Sequence, residues 1–248
     1  MSFVQGWIIT WLLASLRFAP LFMVPSVTPF AWAPAQIRSV LVLAFGAAVV
    51  STMPHALPAP NLAWAATGEL VVGGCLALAV VIPMAALGNA AKLLDVQAGL
   101  ASASLFNPAL QGNDSIFGTF FSLAGTQVFF GLGFDLLVLR ALVASARLAP
   151  VGAAARLPDA DAVLAMVGVQ FLLGLMVVAP VVLGLFAIDL AVAYASRSMP
   201  QANVYFLALP VKVGIAFLLL ATTVHTMPAL VGRLFADALE RSRAAVGL

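Results

Sequence analysis

The sequence predicts an all-α, polytopic membrane-type protein of about six apolar helices with proline breaks. Three observations carry that expectation. Of 248 residues, 64% are hydrophobic and only 8% are charged, whereas a soluble domain uses about 25% charged residues to cover its surface. Six segments approach the roughly 20 apolar residues that a membrane crossing requires. No run alternates apolar and polar residues in the way a membrane-barrel strand does. The length suits one domain or two small ones.

The first segment covers 2–16, with Met23 as its furthest end. Residues 1–16 carry no charge, and the basic Arg17 follows the apolar run. A secretory leader has its basic residues first, so a retained helix is expected, with a cleaved leader as the alternative. The second segment is 36–52, and the third, long and interrupted, is 61–94. The fourth runs from 115 into the 140s, the fifth is 161–195 and the sixth is 203–235. Pro20, Pro25, Pro29 and Pro34 crowd the first connection, and Pro54, Pro58 and Pro60 the second. Asn107, Pro108, Gly112 and Asn113 mark the third; Pro150, Gly152 and Pro158 the fourth; Arg197, Ser198 and Pro200 the fifth. Proline lacks a backbone donor and clashes with the preceding turn, so these stretches are not expected to be regular helix. Pro83, Pro180 and Pro210 lie inside apolar runs and should kink or break them. Rows of small residues, Ala187, Ala191 and Ala195 and the pair Gly99 and Ala103, would allow close helix contacts.

The charge pattern excludes several functions. The net charge is +2, from 11 basic and 9 acidic residues, and no basic stripe interleaved with aromatics points to nucleic acid. On six alternating spans, Arg140, Arg147, Arg156, Arg233, Arg241 and Arg243 fall on one side. Arg17, Arg38, Lys92, Arg197 and Lys212 fall on the other. This slight bias places the C-terminal tail in the cytoplasm. Cys75 is the sole cysteine, so no internal disulfide or cysteine metal cluster can form. His55 and His225 lack acidic or cysteine partners at ligand spacing, and no metal site or cofactor is expected. His55 reads as a solvated loop residue, and His225 as a helix residue meeting a backbone partner. Nucleotide-binding glycine patterns and a nucleophile elbow are absent. The chain is therefore not expected to be an enzyme, and energy for any transport must come from elsewhere.

Glu69, Asp95, Asp135, Asp189 and Lys212 are ionisable residues within apolar segments. Such groups are costly in lipid and face a bundle interior. They serve either an ion relay or pairing between helices, and their scatter, one acid per segment, favours pairing. The stretch 99–121 reads GLASASLFNPALQGNDSIFGTFF. Pro108 and Gly112 break it, yet it carries Leu105, Phe106, Leu110, Ile116, Phe117, Phe120 and Phe121. Apolar side chains at a constriction can close a pore by excluding water. A re-entrant loop that merely packs is the alternative.

These features together resemble the FliR family, the SctT-type export-apparatus proteins of flagellar and virulence type III secretion. The match centres on 200–212, PQANVYFLALPVK, with Pro200, Gln201, Asn203, Val204, Pro210 and Lys212 in place and Tyr205 where phenylalanine is common. A second match is 95–108, with Gln97, Gly99, Ala101 and the pair Asn107-Pro108, where the family often has Asp-Pro. Arg17, Pro20, Pro34 and Arg38 make a third, and Ser145, Pro150 and Gly152 a fourth.

The resemblance implies a single export-gate domain over 1–248. Within it, 1–150 looks FliP-like and 160–236 looks like a FliQ-type helical hairpin. It implies a helical multi-subunit channel in the bacterial inner membrane, passing unfolded proteins. The implied partners are FliP-type, FliQ-type, FlhB-type and FlhA-type subunits and membrane lipid. It also implies that 105–121 plugs the closed channel, through Leu105, Phe106, Asn107, Pro108, Leu110, Ile116, Phe117 and Phe120. A flagellar system is favoured, with a virulence injectisome as the runner-up. A small secondary transporter is the alternative from another class. It would need internal repeats and paired intramembrane acids, and neither is evident.

Overall fold

The computed structural model describes residues 3–24, 28–52, 61–100, 115–152, 158–199 and 204–247. The described residues form eight α-helices and no strand. They are α1 (Phe3–Met23), α2 (Ala35–Thr52), α3 (Leu62–Ala98) and α4 (Ile116–Gly131), followed by α5 (Phe134–Leu148), α6 (Ala160–Ser198), α7 (Val204–Thr223) and α8 (Met227–Ala245). Five helices are long and apolar enough to cross a membrane, or six if α4 and α5, bent by 64° at their junction, act as one span.

The helix boundaries correct several expectations. Pro20 lies inside α1, and Pro83, Pro180 and Pro210 lie inside α3, α6 and α7 without ending them. A proline removes one backbone bond, but the remaining bonds and the apolar side chains of a long helix hold the turns on either side. In hydrocarbon, ending the helix would free many more backbone groups. The sixth apolar segment divides at 224–226, so His225 is exposed in a turn and not on a helix. Beyond it α8 starts at Met227, and Pro228 falls in its first turn, where its missing donor costs nothing. His55 lies outside the described residues.

The chain divides into two compact units. The first comprises Met1–Met84, Phe129–Gln170 and Phe235–Leu248. Its core includes Leu13, Phe18, Phe22, Leu76, Val80 and Leu142. Phe22 stacks on Phe45 at 5.8 Å, and Phe129 meets Phe235 at 5.3 Å. Two glycines let helices approach α1 closely: a Cβ at Gly46 would collide with Ser15, and one at Gly73 with the backbone carbonyl of Arg17.

The second unit comprises Ala85–Val128 and Phe171–Leu234. Leu94, Phe117, Phe121, Val181, Leu185 and Ala216 are buried in it. Gly174 packs against the carbonyl of Ala86. Ala187 and Ala191 instead face outward, so that row of small residues does not serve packing within the unit. Only 17% of the apolar stretch of α7 and 28% of that of α6 is buried, against 56% for α3. The open faces of α6 and α7 carry Leu172, Leu183, Leu190, Leu207 and Leu218.

Candidate functional site

The first unit is held by a polar cluster sealed inside its apolar core. Arg17 on α1 donates from Nε to Glu69 Oε2 on α3 at 2.6 Å, and both side chains are 2% exposed. Its Nη1 donates to Ser145 Oγ at 3.2 Å, and its Nη2 to the carbonyl of Ala149 at 3.0 Å. Ala149 follows α5, so the guanidinium satisfies a carbonyl that a helix end leaves open. The Gly152 N–H donates to Glu69 Oε1 at 3.0 Å. Gly152 has φ 86°, a conformation that a side chain would oppose. A charge taken out of lipid and water alike is tolerable only with such complete pairing. Arg17, Ser145 and Gly152, read from separate stretches of sequence, are therefore one constellation centred on Arg17 and Glu69.

Other residues of that N-terminal motif border helix ends. Pro34 immediately precedes α2, and its carbonyl accepts the N–H of Arg38 at 3.2 Å. Arg38 is buried and donates from Nη1 to the carbonyl of Phe22, near the end of α1, at 3.3 Å. Its Nε finds no partner among the described residues. A further pairing escaped the sequence reading: Gln170 donates to Asp237 at 2.9 Å, and Asp237 also accepts from Arg241 at 2.8 Å. The hydrogen bond from Arg241 to Asp237 raises the pKa of the guanidinium above its ordinary value.

The second unit has its own polar cluster. Lys212 on α7 donates to Asp189 Oδ1 on α6 at 2.7 Å, and Gln97 on α3 donates to Asp189 Oδ2 at 3.1 Å. Lys212 is buried, whereas the Asp189 side chain is 36% exposed. Lys212 thus pairs with Asp189, and two of the scattered acids, Glu69 and Asp189, prove to be paired helix to helix. Pro210 lies half a turn before Lys212, within α7.

The stretch expected to plug a channel is partly described. Leu105, Phe106, Asn107, Pro108 and Leu110 lie outside the described residues, as do Pro200, Gln201 and Asn203 of the α7 motif. Ile116, Phe117 and Phe120 all lie on α4, but in different surroundings. Phe117 is buried against Phe217, with ring centroids 5.2 Å apart, and Phe121 is buried too. Ile116 is 53% and Phe120 38% exposed. Phe117 thus belongs to the core, and only Ile116 and Phe120 present an open face. At the foot of the stretch, Gly99 closes α3 with φ 83°, its N–H reaching the carbonyl of Val96 at 3.1 Å. Ser115 precedes α4, donates its hydroxyl to Asp95 and accepts the Gly118 N–H at 2.6 Å. The Phe117 N–H also donates to Asp95, at 3.3 Å.

Among the described residues, no three His, Cys, Asp or Glu side chains cluster as metal ligands would. The ion pairs Arg17–Glu69 and Lys212–Asp189 each tie two helices together. The fold and these clusters define a polytopic helical membrane-type protein whose buried charges hold its helices in register.

Within that class the chain belongs to the bacterial export proteins, family 1, whose profile matches residues 8–238. It is 25% identical to the flagellar biosynthetic protein FliR of Pectobacterium carotovorum, over 71% of this chain and 68% of that one. It is 27% identical to FliR of Caulobacter vibrioides, over 76% and 77%. It is 32% identical to the Yop proteins translocation protein T of Yersinia pestis, over 61% and 59%.

Proposed function

We propose that the chain is a structural subunit of a flagellar type III protein export gate in the bacterial inner membrane. It forms and plugs a channel through which unfolded flagellar proteins pass, and it performs no catalysis. The family match over 8–238, with relatives named for flagellar biosynthesis, carries this reading. The open apolar faces of α6 and α7 suit it, because a helix buried over only 17% of its apolar stretch needs lipid or other subunits against it. FliP-type, FliQ-type, FlhB-type and FlhA-type subunits are the proposed neighbours. On the same reading, 1–150 is the FliP-like part and 160–236 the FliQ-like hairpin. The segment 105–121 closes the channel, a role that falls to Leu105, Phe106, Asn107, Pro108, Leu110, Ile116 and Phe120. Arg17, Pro20, Pro34, Arg38, Gln97, Gly99, Pro200, Gln201, Asn203, Pro210 and Lys212 serve folding and assembly.

A virulence injectisome is the second reading, supported by the 32% identity to the Yop translocation protein and by the 27% identity to secretion apparatus protein SsaT of Salmonella typhimurium. Co-expression with FliP-type and FliQ-type subunits, followed by measuring the mass of the complex, tests the proposal. A chain that stays alone, monodisperse and able to bind a small solute would overturn it in favour of a transporter. Motility restored in a strain lacking its own FliR would distinguish the flagellar reading from the injectisome reading.

A further inference from the structure

The outward face of α5 suits neither lipid nor open water. Phe134, Val138, Ala141, Leu142 and Ser145 are buried along one side of this helix. The opposite side carries Leu136, Arg140, Ala144, Arg147 and Leu148, all exposed, at spacings that share one helical face. Arg140 and Arg147 lie two turns apart, about 10 Å along the axis. Among the described residues neither side chain has an ion-pair or hydrogen-bond partner, whereas Arg17, Lys212 and Arg241 all pair within the chain.

The level of this face in the first unit argues against lipid. α1 and α3 are long and apolar enough to cross a membrane. Arg17 holds the carbonyl of Ala149, just beyond α5, and pairs with Glu69. Arg17 lies about 9 Å from the end of α1, and Glu69 about 10 Å from the start of α3. Arg147 stands two residues before Ala149, so its exposed guanidinium lies where the neighbouring helices are apolar. A charge facing hydrocarbon at such a level is costly. Beside this face α5 and α8 leave an open groove of about 570 Å³. Phe134, Leu137, Ala236 and Leu239 give it an apolar lining, and Glu240 and Arg243 add one charge of each sign. Three arginines against one glutamate leave the surface basic, and its leucines are unsuited to open water.

We propose that this surface is the docking site for a helix of a neighbouring protein subunit. That helix carries carboxylates two turns apart for Arg140 and Arg147, and an apolar side chain for the groove. Arginine among large apolar side chains is the composition of a protein interface. The proposal rests on the reading of the chain as a subunit of a larger assembly.

The test uses the full chain co-expressed with the FliP-type, FliQ-type, FlhB-type and FlhA-type subunits of its own system. A photo-crosslinking amino acid replaces Ala144 on α5 or Ala244 beside the groove, both exposed. Both positions should cross-link to one protein segment, and mass spectrometry should find two acids about two turns apart in it. Arg140→Glu combined with Arg147→Glu should lower the cross-linked yield about tenfold or more, and the paired glutamine variants less. Reversing the partner's two acids to lysine should restore the yield with the double glutamate variant. If that variant fails to accumulate, the paired glutamines decide, and a yield equal to the starting chain's overturns the proposal. Cross-links to phospholipid alone, or to a protein segment without acids, also overturn it. A complex of full mass with no protein cross-link from either position overturns the docking site and leaves the assembly reading standing. A starting chain that forms no complex overturns the assembly reading and the docking site with it.

Discussion

Replacing Arg17 by alanine is expected to be the most damaging single change in the first unit. It removes three hydrogen bonds, to Glu69, Ser145 and the carbonyl of Ala149. Among the described residues it leaves the Glu69 carboxylate, 2% exposed, with only the Gly152 N–H on its other oxygen. Breaking one side of a buried ion pair costs about 3–5 kcal/mol, because the remaining charge keeps its desolvation penalty. The ratio of folded to unfolded chain should fall by about a hundredfold to a few thousandfold. Arg17→Lys keeps the charge but cannot reach three separate acceptors from one nitrogen, and should cost about 1–3 kcal/mol. Arg17→Met combined with Glu69→Leu removes both charges. Among the described residues, only the Ala149 carbonyl and the Gly152 N–H then lose a partner, since Ser145 already donates to the carbonyl of Leu142 at 2.7 Å. The double variant should therefore lose about 2 kcal/mol, less than Arg17→Ala alone. The temperature at which half of the chain leaves the detergent-solubilised complex reports the order. A double variant as damaging as the sum of its singles would refute the pairing argument, and so would Arg17→Lys behaving as the starting protein.

The remaining predictions concern the second unit and the helix contacts. Lys212→Ala should weaken assembly by about 1–2 kcal/mol, a figure reduced because the Asp189 carboxylate is 36% exposed; undiminished co-purification of partner subunits would sink this. Phe117→Ala should destabilise by about 3–5 kcal/mol, as a buried ring does, whereas Phe120→Ala should leave folding nearly unchanged and appear in leak measurements instead. Gly73→Ala should disrupt packing, because its Cβ would strike the backbone carbonyl of Arg17, which cannot swing aside. Gly88→Ala, with open space around its Cβ, should be neutral or stabilising by up to about 1 kcal/mol; equal yields of the two glycine variants would refute the close contact.

Composition alone determined the class of fold. With 8% charged residues the chain cannot cover a soluble surface, and apolar runs near membrane length leave helices as the only open form. The positions of the apolar segments were also legible, because hydropathy over a long run is a local property. Where helices end was less so. Pro20 and Pro210 read as interruptions but sit inside α1 and α7, since a single missing donor does not outweigh the turns on either side. The break at 132–133 and the turn at 224–226 lie within apolar runs, where hydropathy has no contrast.

The polar clusters were beyond the sequence for a different reason. Arg17 and Glu69, or Gln97 and Asp189, are distant in the chain, and nothing local says which helices meet. Their types announced only that each needed a partner in an apolar setting. Tertiary packing chose the partners. It also divided Phe117 from Ile116, neighbours in sequence, because successive residues on a helix point about 100° apart. Asp95 carried a faint local signal, its wrong sign for the end of α3. The sequence could mark Asp95 as anomalous, and only the arrival of the α4 N-terminus beside it explains the anomaly.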